Sequence, residues 1–158
     1  MIELLLVRHA DAGDPLAWAG ADADRPLSRK GRKQADRLAA LLGGLRSAPD
    51  ALVSSPKARA AQTAEILGAT LGLEVRLHDG LAGALDLDVL ATILADSGEP
   101  HRPILVGHDP DLSDLASELV GSAVAMKKGA LARIDLAAAP VAGEGVLRWL
   151  VPPELFAR

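Results

Sequence analysis

The sequence predicts an α/β chain: a three-layer α/β/α sandwich around a mostly parallel central sheet of about six strands. Three observations lead there. Residues 2–7, Ile-Glu-Leu-Leu-Leu-Val, form a short apolar run of the kind that parallel sheets bury on both faces. Further short apolar runs alternate with longer segments of helical period, each punctuated by a capping residue or a glycine. The last two strand-like segments then follow one another with no helix between them, so the order reads βαβαβαβα and then ββ.

Each element has its own signal. Residues 10–27 are a polar loop holding Asp11, Gly13, Asp14, Pro15 and an acidic patch at Asp22–Asp24. Ser28 is a good N-cap. It opens a helix through about Leu42, with Ala35, Leu38 and Leu42 on one face and Arg32, Lys33 and Asp36 largely outside. Gly43-Gly44 stop that helix. Ala51-Leu52-Val53 is a second strand ending at Ser54-Ser55. Pro56 suits the first turn of the next helix, which runs to about Leu71 and ends at Gly72. Leu73–Leu77 is a short alternating strand and His78–Ala84 a glycine-containing loop. Asp86 or Asp88 starts a third helix through Asp96. Pro103–Val106 is the next strand, and Gly107-His108-Asp109-Pro110 leads into a helix over 111–120. Ala130–Leu136 and Gly145–Val151 are the closing strands, and 152–158 read as a tail. The chain carries no repeat, no low-complexity tract and no linker, so one domain over 1–158 is expected.

Composition narrows the function classes. Hydrophobic residues make up 49% and charged residues 24%, a globular balance. With one Phe, two Trp and no Tyr, the core must be built from Leu, Val, Ile and Ala. A net charge of -4 and no aromatic stripe argue against a nucleic-acid surface. A few local arginines can still hold a small anion, because net charge says little about one pocket. Zero Cys removes disulfides, thiolate metal sites and cysteine catalysis, and a cytoplasmic location fits. The N-terminus lacks the pattern of a signal peptide: Glu3 interrupts the apolar run, no basic segment precedes it and Arg8 ends it. No apolar stretch reaches the roughly 18 residues of a membrane span. A monomer is the expectation for so compact a chain.

The chemistry gathers at segment junctions. In open α/β sheets, ligands bind at the carboxyl ends of the strands. The first strand ends on Arg8-His9, and a later one on Gly107-His108, just before a helix whose free N–H groups favour anions. Arg59 sits about one turn into the helix after Pro56, so its fork can reach back across the strand ends. Arginine presents planar paired donors that match phosphate oxygens. Each residue also has a plain reading: a strand-end His as a hydrogen-bonded structural residue, Arg59 as a solvated helix arginine, His108 as a capping histidine. Their joint placement at one sheet edge favours chemistry on phosphate.

Four segments then carry a resemblance. Arg8-His9-Ala10, Arg25-Pro26-Leu27-Ser28 with Gly31, Ser55-Pro56-Lys57-Ala58-Arg59-Ala60-Ala61-Gln62-Thr63 and Val106-Gly107-His108-Asp109-Pro110 resemble, in order and at compatible spacing, the signatures of the histidine phosphatase superfamily. This is the phosphoglycerate-mutase-like group, and the length resembles its smallest members, the SixA-type phosphohistidine phosphatases. The resemblance implies a phosphoglycerate-mutase-like fold and a phosphatase. His9 is then the nucleophile that becomes a phosphohistidine, and Arg8, Arg59 and His108 clamp the phosphoryl oxygens. It implies no cofactor and no metal, since the arginines occupy the place Mg²⁺ takes elsewhere. The neutral His9 ring must present a free nitrogen, so a backbone carbonyl is expected to hold its other N–H.

Departures from the pattern bear on the substrate. Ala10 replaces the usual Gly, and its methyl is expected to narrow the pocket floor. The general acid is open: Asp79 stands roughly where larger relatives place a Glu, with an Asp-Gly turn as its plain reading. Asp109, the acid of another branch, reads better as a helix cap. Arg25 reaches the mouth of the site in a SixA-like arrangement, and a helix-flank role is an equal reading. Lys127-Lys128 reads more as a solvated turn than as an extension of the anion pocket. A metal site at His9, Asp11, His108 and Asp109 is opposed by the adjacent arginines, which repel a cation. His78 and His101 receive no role. A missing acid points to phosphoramidates over sugar phosphates, because a protonated imidazole leaves well and an alkoxide does not. The partner is therefore a phosphorylated protein or a small phosphorylated substrate, with neither nucleic acid nor membrane. A catalytically weak phosphate- or phosphoprotein-binding module on the same scaffold is the second class. A mutase is disfavoured, for want of sequence to build a water-excluding lid.

Overall fold

The computed structural model describes residues 1–156. Six strands form one sheet: β1 (Ile2–Arg8), β2 (Ala51–Ser54), β3 (Val75–Leu77), β4 (Pro103–Gly107), β5 (Leu131–Leu136) and β6 (Val146–Val151). Their order across the sheet is β3-β2-β4-β1-β5-β6. β1 pairs in parallel with β4, β4 with β2 and β2 with β3, while β5 runs antiparallel to both β1 and β6. The sheet is mostly parallel, as expected. β4 enters between β1 and β2, so the crossover direction reverses after β3, and that reversal opens a ligand crevice beside β1.

Four helices complete the sandwich: α1 (Arg29–Gly43), α2 (Ala58–Leu71), α3 (Leu87–Asp96) and α4 (Asp111–Val120). β1 shows why both faces must be covered. Its Leu4 and Leu6 pack with Leu90 and Ile93 of α3 and Leu112 and Leu115 of α4. Its Leu5 and Val7 pack with Leu38 and Leu42 of α1 and Ala60, Ala64 and Leu67 of α2. A strand buried on both sides needs an unbroken apolar run, and that is what residues 4–7 are.

Caps explain most of the boundaries. The Ser28 hydroxyl accepts from Gly31 N–H at 3.0 Å, and the Asp86 carboxylate accepts from Val89 N–H at 2.8 Å. Three expectations need correction. β3 starts at Val75, because Leu73 N–H is spent on Gly68 O (3.2 Å), closing the end of α2. α2 starts at Ala58, after Pro56: the Ser55 hydroxyl accepts Lys57 N–H at 3.2 Å and holds 56–57 in a turn, with Lys57 extended at the cap. Residues 152–156 are no tail. Pro153–Leu155 form a 3-10 turn, Phe156 packs against the α1/α2 side of the core, and Glu154 meets Lys127 Nζ at 2.6 Å. Ala157 and Arg158 of the expected tail lie outside the described residues.

Candidate active site

The parallel ladder continues one step past the strand ends. His9 N–H bonds Gly107 O (3.0 Å), Ser55 N–H bonds Val106 O (3.0 Å) and His78 N–H bonds Ser54 O (2.9 Å). Because Arg8 is registered with Gly107, the next residues of β1 and β4 stand side by side. The rings of His9 and His108 are 5.2 Å apart between centroids, with planes tilted by 55°. Both residues are buried.

His9 Nδ1 lies 2.7 Å from the carbonyl oxygen of Ala10. A carbonyl can only accept, so the neutral ring carries its proton on Nδ1 and leaves Nε2 with a free lone pair. Burial is the main cause that lowers the pKa of His9 to about 4, with the charges of Arg59, Arg8 and Lys128 adding to it against the Ala10 hydrogen bond. The ring is neutral at physiological pH. His108 is lowered to about 3, first by burial and then by its neighbours His9, Arg59 and Lys57. Its Nε2 is 2.7 Å from Ser55 Oγ, and its buried Nδ1 has no partner among the described residues.

The two arginines converge on the same edge and are each half-satisfied. Arg8 donates through Nη1 to Met126 O at 2.8 Å and stands 3.6 Å from Asp109 Oδ2. Arg59 is clamped by one residue, its Nη1 on Asp22 O (2.9 Å) and its Nη2 on Asp22 Oδ2 (3.0 Å). The Nε atoms of both arginines are buried and, among the described residues, have no partner. Thus Arg8, Arg59 and His108 each keep one buried donor position unused. Buried polar atoms are rarely left so, and here they belong to three residues near His9: the His108 ring lies 5.2 Å away, and the charges of Arg8 and Arg59 act on the His9 ring.

Arg25 is also buried, and its donors are committed to the loop: Nε to Asp22 Oδ1 (3.1 Å), Nη1 to Ala12 O (2.8 Å). It reaches Arg59 only through the shared Asp22 carboxylate. That carboxyl is held below the usual range, first by its bond from Arg25 and then by the charge of Arg59. Asp79 opens the 3-10 turn Asp79–Leu81 after β3, exposed and three strand positions from β1. Asp109 accepts from Ser113 N–H (3.1 Å) and Ser113 Oγ (2.6 Å), so it serves the first turn of α4 as expected, but from one residue before the N-cap, which is Pro110. The Ala10 methyl does not narrow the pocket floor, because it packs with Leu27 and Ala35 on the helix side.

Four residues that hold the site were not singled out from the sequence. Ser55 contacts His108. Thr63 Oγ1 accepts Ala10 N–H (3.2 Å) and donates to Arg59 O (2.8 Å), joining the His9 loop to α2. Gln62 Oε1 accepts Leu27 N–H at 2.9 Å. All three lie inside the Ser55–Thr63 segment, whose resemblance to the superfamily's pattern was the available signal. Asp22 was visible only as part of an acidic patch.

The profile of the histidine phosphatase superfamily (branch 1) matches residues 4–84. An uncharacterised protein of a Picosynechococcus strain is 36% identical over 121 residues, 75% of this chain and 73% of that one. Among solved structures, the protein histidine phosphatase SixA complexed with tungstate superposes with a TM-score of 0.82 at 24% identity, over 98% of this chain and 99% of that one. A mycobacterial glucosyl-3-phosphoglycerate phosphatase superposes with a TM-score of 0.72 at 18% identity, over 93% and 97% of the two chains.

Proposed function

The chain belongs to the histidine phosphatase superfamily, and from that premise we propose that it is a phosphatase whose nucleophile is His9 and whose substrates are phosphohistidines on proteins. One combination supports the reading of the site: His9 Nδ1 is pinned to the Ala10 carbonyl, and its neighbours Arg8, Arg59 and His108 each keep a buried nitrogen without a partner among the described residues.

In the first step the Nε2 lone pair of His9 attacks phosphorus in line. The P–N bond of the substrate breaks, its electrons return to the leaving imidazole, and that ring departs neutral because it entered protonated. In the second step water attacks phosphorus, the P–Nε2 bond breaks, the water's proton goes to phosphate, and His9 is regenerated neutral. Arg8 and Arg59 oppose the charge spread over the equatorial oxygens, so positioning and fixed positive charge carry the catalysis.

Support for a phosphoramidate comes from the carboxylates. Asp22 is bonded to two arginines. Asp109 is bonded to Ser113 and lies by Arg8. Asp11 accepts from Ser28 Oγ at 2.5 Å and lies 3.7 Å from Lys128 Nζ. All three are committed to hydrogen-bond donors or cations of the protein, and Asp22 and Asp11 are held below the usual carboxylate range, which makes them poor sources of the proton that an alkoxide leaving group requires. Asp79 is the remaining candidate acid, and a small phosphomonoester is the substrate if it serves.

The test is parallel turnover of a phosphohistidine-bearing carrier protein, para-nitrophenyl phosphate and a sugar phosphate, by wild type, His9→Ala and Asp79→Asn. The expected result is fastest hydrolysis of the phosphohistidine protein, an acid-labile ³²P-enzyme that His9→Ala cannot form, and no effect of Asp79→Asn on that substrate. Preference for the sugar phosphate, lost in Asp79→Asn, would replace this substrate class with the small ester. Binding with no turnover of any substrate would select the binding module.

A further inference from the structure

Beside the histidines lies a second feature that the phosphoryl chemistry does not use. α1 begins at the carboxyl edge of the sheet, where β1 delivers the chain. β6 ends at that edge, and β5, running the other way, starts there after residues 127–129. Between the first turns of α1 and the turn after β6 lies a groove of about 480 Å³. Arg29, Lys30, Lys33 and Arg37 line it on one side, Glu154 and Phe156 on the other. Among the described residues its one carboxylate is Glu154, already bonded to Lys127. Among the described residues the four helix cations form no ion pair.

This pattern works against the helix that carries it. Arg29, Lys33 and Arg37 stand four residues apart, the spacing at which like charges repel along a helix face. Arg29 and Lys30 occupy the first turn, the positive end of the helix dipole, and that turn holds no acidic residue. The chain as a whole is acidic, with a net charge of -4, so this concentration of positive charge is local. One wall of the groove is tied to the His9 loop. Gln34, in its wall, accepts Asp11 N–H at 2.9 Å, two residues from His9, and the charge of Lys128 beside Asp11 is felt by His9 itself.

We propose that this basic groove along α1 docks the acidic surface of the phosphorylated protein substrate, holding it while its phosphoryl group enters the site at His9. The inference rests on the phosphoprotein reading above. Arg29 to Arg37 spans about 12 Å of helix, on top of the reach to His9, which fits a protein face better than a small ester. Unlike charges across such a rim steer encounter and set salt dependence.

The experiment compares wild type with Lys33→Glu/Arg37→Glu and with the milder Lys33→Gln/Arg37→Gln. The substrates are an acidic phosphohistidine-bearing carrier protein, free phosphohistidine and para-nitrophenyl phosphate. For the carrier protein, the reversal should lower kcat/KM on the order of tenfold, through KM, and flatten its salt dependence, with the neutral variant between. For both small substrates the kinetics should match wild type. Unchanged kcat/KM on the carrier protein would overturn the docking role, and so would a parallel loss on all substrates. A wild type that leaves every carrier phosphoprotein intact while hydrolysing esters would remove the phosphoprotein reading first, and docking with it.

Discussion

Ser55 Oγ contacts His108 Nε2 at 2.7 Å while it accepts Lys57 N–H at 3.2 Å. With Lys57 occupying one lone pair, the hydroxyl proton is free to go to Nε2. His108 then carries its own proton on Nδ1, the buried position with no protein partner. A neutral imidazole so arranged donates to an oxyanion without first acquiring a charge, which resolves how a ring lowered to about 3 can still bind phosphate. Ser55→Ala removes the group that sets this tautomer. We expect kcat to fall on the order of tenfold and stability by roughly 1–3 kcal/mol, since the bonds to both His108 and Lys57 N–H are lost. The positioning role is read from competitive inhibition by tungstate, which should weaken in parallel; wild-type kcat and tungstate affinity in the variant would refute it. Ser55 was legible in the sequence, in the segment that carries Arg59. Its partner was not, because a hydroxyl's hydrogen bond depends on which strand lies next to its own.

At the scale of elements, the entry to α1 shows how tightly one segment positions another. A Cβ on Gly31 would lie 1.9 Å from the carbonyl oxygen of Asp11, a distance no side chain tolerates. The helix and the His9 loop are pressed together there, and Ser28 N–H bonds the same Asp11 oxygen at 2.9 Å. Gly31→Ala must push the loop off the helix, moving Asp11 and with it the Ala10 carbonyl that holds His9. The expected cost is roughly 1–3 kcal/mol in urea unfolding, with turnover falling more than stability accounts for at assay temperature. A variant as stable and active as wild type would mean the contact relaxes freely. The helices were legible because each begins on a capping side chain or ends on a glycine, and those are local signals. So was the placement of His9, Arg8, Arg59 and His108 at element junctions. The pairing of β1 with β4 was not, since strands a hundred residues apart carry no local mark of adjacency. Nor was the role of Asp22, whose carboxylate becomes meaningful only once Arg25 and Arg59 are folded onto it.

For the whole molecule, two buried neutral imidazoles make stability depend on pH in a definite direction. Their folded pKa values, about 4 for His9 and about 3 for His108, lie below the value near 6.5 of an unfolded histidine. Between those limits the unfolded chain binds more protons than the folded one, so stability falls as pH falls from 6.5 towards 4. At pH 7 neither ring contributes to the loss; by pH 5 each accounts for on the order of 2 kcal/mol. A bound oxyanion opposes this twice. It binds only the folded state, and its negative charge raises both imidazole pKa values towards the unfolded one. Urea unfolding at pH 7 and pH 5 should therefore show a wild-type loss that saturating tungstate reduces, and that His9→Asn/His108→Asn largely removes. Carboxylates titrate too, but those at the site are the same in both proteins, so the difference between the two pH responses isolates the imidazoles. Equal losses in wild type and double variant would show that the rings are open to water and charge freely. In that case both rings would be imidazolium at pH 5, and burial as the force that keeps them neutral below pH 6.5 would have to be abandoned.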